Sequence, residues 1–127
     1  MARRPRLSKA ELELMDLIWE RGESSVRELQ ETIPEKRRPA YTTVQTLVGR
    51  LEEKGAVRRS RRVGNAYLYE PAITRRSTYR RLIDELVEVF GGSATPIVSH
   101  LIESGKLTLE DLRVLEREQS KRKDGAE

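Results

Sequence analysis

Ala40-Tyr41-Thr42-Thr43-Val44-Gln45-Thr46-Leu47-Val48-Gly49-Arg50-Leu51-Glu52-Glu53-Lys54-Gly55 reads as one amphipathic helix with its own stop. Val44, Leu47, Val48 and Leu51 fall at i, i+3, i+4 and i+7, the spacing of a single buried stripe. Thr43, Thr46 and Arg50 repeat at i, i+3 and i+7 on the other side, with Thr42 and Gln45 beside them. A helix that hides one face and presents Thr, Gln and Arg on the other is equipped to read base edges in a major groove. Thr is a mediocre helix former, so propensity does not explain three of them on an exposed face. Gly55 stands where a left-handed residue closes a helix.

The flanking segments place this helix third in a domain. Ser8 and Glu11 have capping-box spacing, with Leu7 and Leu12 at staple positions, and predict a helix to about Glu20 that buries Leu12, Met15, Ile18 and Trp19. Ser25 and Glu28 repeat the box and open a short helix with Val26, Leu29 and Ile33 inward, which Pro34 ends. Ala56 to Pro71 reads as a hairpin turning at Gly64-Asn65, with Tyr67-Leu68-Tyr69 on the return strand. Helix, helix, helix, hairpin is the order of a winged helix-turn-helix.

The hairpin's outgoing strand carries Arg58-Arg59-Ser60-Arg61-Arg62. Beside a reader helix, such a run is a wing that grips phosphates or enters the minor groove. Strand alternation sends one Arg of each neighbouring pair to each face, so half would meet DNA. The competing reading is a charged edge that blocks aggregation. Arg3, Arg4 and Arg6 are either a basic arm on DNA or a solubilising terminus. Tyr41 either touches a phosphate or packs.

Beyond residue 72 the pattern is helical. Tyr79, Leu82, Ile83, Leu86, Val87 and Phe90 form one stripe. Gly91-Gly92 breaks it. Ser93 or Thr95 then caps a short helix with Pro96 near its start and Ile97, Val98, Leu101 and Ile102 as its apolar set. Thr108 and Asp111 open a last helix with Leu109, Leu112 and Leu115 inward. Residues 121–127 carry no aliphatic or aromatic core residue beyond Ala126 and are expected to be disordered. Three short helices in about 50 residues bury too little by themselves; their stripes need a second copy or the winged domain, and a homodimer through this region is the economical expectation.

Charge and composition agree with two parts. The 127 residues carry 25 Lys+Arg against 21 Asp+Glu. All of the excess lies in residues 1–72, with 15 Lys+Arg against 11 Asp+Glu, while residues 73–127 balance at 10 each. A basic module joined to a neutral one suggests a polyanion reader and a partner-binding part. The expected organisation is a winged helix over 1–72, a dimerisation region over 73–120 and a tail over 121–127, mostly α with a small β wing. The absence of cysteine excludes disulfides, thiolate metal sites and Cys nucleophiles. No apolar run approaches a membrane span, and the charged N-terminus lacks an apolar signal region, so a cytoplasmic protein without membrane insertion is expected. His100 is the only histidine and has no ligand set near it. With no nucleophile motif, no carboxylate pair in an apolar setting and no phosphate loop, neither catalysis, a cofactor nor a metal is expected. Winged helices also serve as protein-interaction or architectural DNA-binding modules, and those readings stay open.

Leu7-Ser8 with Glu11-Leu12-Glu13-Leu14-Met15 and Ile18-Trp19, then Tyr41 to Leu47 with Arg50-Leu51 and Lys54-Gly55, then Tyr67-Leu68-Tyr69-Glu70-Pro71, resemble the penicillinase-repressor family. The resemblance covers nearly the whole chain. It implies a homodimeric repressor whose winged helix binds a dyad-symmetric operator at a promoter and whose C-terminal helices dimerise. It also implies control of β-lactamase-type or related stress genes, antibiotic resistance among them. In the β-lactam branch a membrane sensor-protease system lifts repression by cutting the dimerisation region. The family's scissile Asn-Phe pair falls at His100-Leu101 here, which departs from the pattern. The copper branch uses a C-terminal cysteine cluster, which this chain lacks.

Overall fold

The computed structural model describes residues 6–125. The order of elements is α1 (Lys9–Arg21), β1 (Ser24–Ser25), α2 (Val26–Thr32), a 3-10 turn (Glu35–Arg37), α3 (Tyr41–Glu53), β2 (Val57–Val63), β3 (Ala66–Pro71), α4 (Arg75–Val89), α5 (Thr95–Glu103) and α6 (Leu109–Gly125).

Local chemistry sets the helix ends. Ser8 and Glu11 form a reciprocal capping box on α1, and Ser25 and Glu28 repeat it on α2. At the end of α3, Ala56 N–H donates to the Leu51 carbonyl and Gly55 N–H to that of Glu52, the Schellman pattern. That closure needs a left-handed residue, and Gly55 supplies it with φ 77°.

The first unit runs to Arg80. Its core is Leu14, Met15 and Ile18 of α1, Val26 and Leu29 of α2, Val44, Val48 and Leu51 of α3, and Ala56, Val57 and Tyr69. The first helix is rotated slightly from its expected face: Leu14 is buried, whereas Leu12 and Trp19 are half-buried. Ile33 and Leu47 are also only half-buried. The sheet has the order β1-β3-β2, all antiparallel. The strand β1 has no signature of its own; Ser24 and Ser25 are extended because they pair with Tyr69 and Leu68. The unit extends past residue 72 because the start of α4 binds α1. The Trp19 indole donates to the Ile73 carbonyl at 2.9 Å, and Tyr79 stands edge-on to the Trp19 ring at 5.9 Å.

The second unit, from Arg81, holds the rest of α4 with α5 and α6. None of its described residues is buried. Ile83, Leu86, Phe90, Val98, Ile102, Leu109 and Leu115 are exposed, while Leu82, Val87, Ile97, Leu101 and Leu112 are half-buried. Of the expected inward set of α6, Leu109 and Leu115 are therefore exposed and only Leu112 is partly covered. Neither Ser93 nor Thr95 is the cap of α5: Ala94 holds that position and Ser93 Oγ accepts from Thr95 N–H. Thr108 and Asp111 do exchange both capping-box bonds. Past Ser120 the helix continues to Gly125, because Lys and Arg sustain a helix without any core packing.

Candidate nucleic-acid interface

The helix α3 has 13 residues, about 20 Å of rod. Its inner stripe is fixed by the core, so its outer side chains are aimed by default. Tyr41, Thr42, Thr43, Gln45, Thr46 and Arg50 are all exposed. Thr42, Thr43, Thr46, Leu47 and Arg50 line one shallow concavity. No hydrogen bond or ion pair ties down the Arg50 guanidinium among the described residues. Thr46 is different: its hydroxyl donates to the Thr42 carbonyl at 2.9 Å, one turn back. Tyr41 lies under the Arg27 guanidinium, 5.9 Å from the ring centroid.

Gly64, with φ 61°, and Asn65 make the wing turn as the sequence indicates, and the four arginines of β2 are exposed. Ser60 interrupts the ladder. Arg59 opposes Tyr69 and Arg61 opposes Leu68, so Ser60 is an extra residue without a ladder partner. A regular strand would put Arg59 and Arg62 on opposite faces. The bulge brings them to one face, where both guanidinium groups meet the Tyr67 ring, at 4.2 Å and 5.6 Å. Arg58 and Arg61 take the other face.

Three of these arginines are paired within the chain. Arg58 bonds Glu70 at 2.9 Å, Arg59 bonds Glu52 of α3 at 3.1 Å and Arg61 bonds Glu23 at 2.9 Å. Hydrogen bonds from Ser60 and Arg61 hold the Glu23 carboxyl below its ordinary pKa. Arg59 is raised, chiefly by its hydrogen bond with Tyr69 and then by the Glu52 charge. Arg62 Nε donates to the Gly64 carbonyl at 3.0 Å. The carboxylates and Tyr67 are the parts of this surface that the sequence pattern does not expose. Glu23 lies far from the wing along the chain, Glu52 is close in sequence but meets Arg59 only through the turn from α3 into β2, and the bulge sets the meeting with Tyr67. Only Glu70 is within reach of a hairpin-register argument.

The reader helix is held at its far end by Lys54, whose ammonium bonds Glu11 Oε1 at 2.6 Å and the Arg6 carbonyl at 2.8 Å. Arg6 is exposed, and Arg3 and Arg4 lie outside the described residues. Tyr79, one of the residues expected to dimerise, engages α1 within the chain, with its hydroxyl on Asp16 Oδ1 at 2.5 Å. His100 is exposed and Leu101 half-buried, both inside α5. Among the described residues no helix is long and apolar enough to cross a membrane.

The penicillinase repressor family matches residues 7–120. The penicillinase repressor of Bacillus licheniformis is 26% identical over 130 residues, covering 98% of this chain and 100% of that protein. The transcriptional regulator BlaI of Mycobacterium tuberculosis (strain H37Rv) is 34% identical over 106 residues, 81% of this chain and 76% of that one. Among solved structures, the DNA binding domain of the repressor BlaI is 31% identical, with a TM-score of 0.51 over 59% of this chain and 90% of that domain.

Proposed function

The chain belongs to the penicillinase-repressor family, and on that premise we propose that it represses transcription as a homodimer on a dyad-symmetric operator. It is a transcriptional repressor with a winged-helix DNA-binding domain and is not an enzyme. The observation that carries the operator reading is the outer face of α3. Thr42, Thr43, Gln45 and Arg50 stand exposed on a helix whose other face is locked in the core, with the wing beside it. Affinity comes mainly from phosphate neutralisation and specificity from this face.

The second unit supplies the dimer. Ile83, Leu86, Phe90, Ile102 and Leu109 of its stripes stay exposed in the single chain, and a second copy covers them on the two-fold axis that a palindromic operator requires. One protomer binds weakly. Linking two readers raises affinity by about 100-fold or more, so losing the dimer is enough to release a promoter. The genes under control are of the β-lactamase type or related stress genes, in the cytoplasm. A sensor-protease system is a suitable inducer. Its cut at His100-Leu101 requires α5 to open first, because the His100 carbonyl accepts from Ser104 N–H inside that helical end.

Selection of duplexes from a randomised pool by the purified protein, at about 0.15 M salt where non-specific binding is damped, tests this reading. Enrichment of an inverted repeat is the expected result. A flat pool with binding makes the protein an architectural binder, and no binding makes it a protein-interaction module. Leu86→Glu is expected to sediment as a monomer and to lose the inverted repeat; a dimer that survives it removes α4 from the interface.

A further inference from the structure

We infer that Arg62 is the wing's phosphate-binding side chain, and that Arg58, Arg59 and Arg61 are positioning residues that hold the wing in place. This rests on the DNA-binding reading above and divides the labour within that same surface.

The ion pairs draw the division. Arg58, Arg59 and Arg61 each face a carboxylate of their own chain, on β3, on α3 and in the α1–β1 connection. Among the described residues Arg62 faces none. Counted with their partners Glu70, Glu52 and Glu23, the four arginines leave a single uncompensated positive charge, and it sits at Arg62. A phosphate that drew Arg61 away would leave Glu23 bare against a polyanion. A phosphate that meets Arg62 displaces no anion.

The geometry also prepares Arg62. It lies two residues before the tip of the hairpin, opposite Tyr67 in the ladder. Its Nε is fastened to the Gly64 carbonyl, and its guanidinium carbon lies 5.6 Å from the Tyr67 centroid. Both partners are neutral. They restrict the side chain without cancelling its charge, and they leave the two Nη groups, the prongs of the fork that suits a phosphate. Arg59, stacked closer on the same ring and bonded to Glu52, ties Tyr67 and hence the wing to the reader helix.

The test is the salt dependence of binding by the full chain to a mixed-sequence duplex, where the slope of log K against log salt falls by about 0.9 for each phosphate that the protein ceases to neutralise. Arg62→Ala is expected to reduce the slope by that amount for each wing engaged. Arg58→Ala and Arg61→Ala are expected to reduce it by less than half as much. Glu23→Gln releases Arg61 and is expected to raise the slope. Arg62→Lys keeps the charge, so it keeps the slope, but it lowers affinity because an ammonium has no fork. The Arg62→Lys and Glu23→Gln arms stand even if Arg62→Ala folds poorly, which Trp19 fluorescence in urea reports. An unchanged slope in Arg62→Ala, or an equal drop in Arg61→Ala, overturns the assignment while leaving the DNA reading intact. Failure of the unsubstituted protein to bind any duplex overturns both.

Discussion

Lys54 Nζ donates to Glu11 Oε1 across 2.6 Å and so joins the C-cap of α3 to the first turn of α1. Glu11 is 1% exposed and closes the α1 capping box through the same oxygen, which accepts from Ser8 N–H at 2.6 Å. One carboxylate therefore starts one helix and anchors the reader helix.

Removing Lys54 leaves that carboxylate buried with only its cap. Breaking a fully buried pair costs about 3–5 kcal/mol. The Lys54 side chain keeps 27% of its surface in water, so Lys54→Ala is expected to cost about 2 kcal/mol. Urea unfolding followed by the single tryptophan, Trp19, measures it. A loss below about 0.5 kcal/mol, the level of ordinary surface substitutions, removes the pair from the fold's support.

The same pair gives stability a pH dependence. Burial pushes the Glu11 carboxyl up, but the hydrogen bonds from Lys54 and Ser8 outweigh it and its pKa is lowered. Glu28 is lowered too, chiefly by the Ser25 backbone and hydroxyl bonds. In both cases the unfolded chain takes up protons first as pH falls. Their contribution is complete above the ordinary glutamate pKa and is lost as pH drops through the lowered folded values. Urea midpoints are expected to decline over that acidic window, with a shallower decline in Lys54→Ala. An equal decline in both proteins separates Glu11 from the effect.

What was legible in the sequence was local. Both capping boxes, the α3 stripe and the Gly64-Asn65 turn are each specified by residues within a few positions of one another. The strand β1 was not, because two serines become a strand only when Tyr69 and Leu68 arrive beside them. Nor was the grouping of Arg59 with Arg62, since one inserted residue, Ser60, reverses the alternation. Of the reader face the sequence shows which side chains are exposed, but not that the Thr46 hydroxyl is already engaged. For Tyr79 the apolar stripe shows the ring but not its contacts with Trp19 and Asp16, which lie about sixty residues away along the chain.

Tyr79 therefore offers a third test. Its hydroxyl bonds Asp16 Oδ1 and its ring meets Trp19 edge-on, while Arg75 stands 5.4 Å from the Trp19 ring centroid. The bond to Asp16 raises the phenol's pKa. Tyr79→Phe keeps the ring packing and removes only the hydroxyl, so it is expected to cost about 0.5–1.5 kcal/mol, toward the lower end at this exposed site. Tyr79→Ala removes both and is expected to cost more and to shift the Trp19 emission. Equal costs for the two variants place the stabilisation in the hydroxyl alone.

Thr46 and Arg50 test how the outer face reads. The Thr46 hydroxyl donates its proton to the Thr42 carbonyl, so it offers a base edge no free donor, only a methyl group and an oxygen lone pair. A methyl is suited to the C5-methyl of thymine. Thr46→Val keeps the methyl and is expected to leave operator affinity nearly unchanged, whereas Thr46→Ser lacks it and weakens binding. Arg50 carries no such tie, and Arg50→Ala is expected to cost about 1–3 kcal/mol on the selected operator and far less on mixed-sequence DNA. Titration of each variant on both duplexes separates the roles. If Thr46→Val falls as far as Arg50→Ala, the hydroxyl leaves its backbone partner on binding and Thr46 reads as a donor. If Arg50→Ala loses equally on both duplexes, its guanidinium holds a phosphate rather than a base.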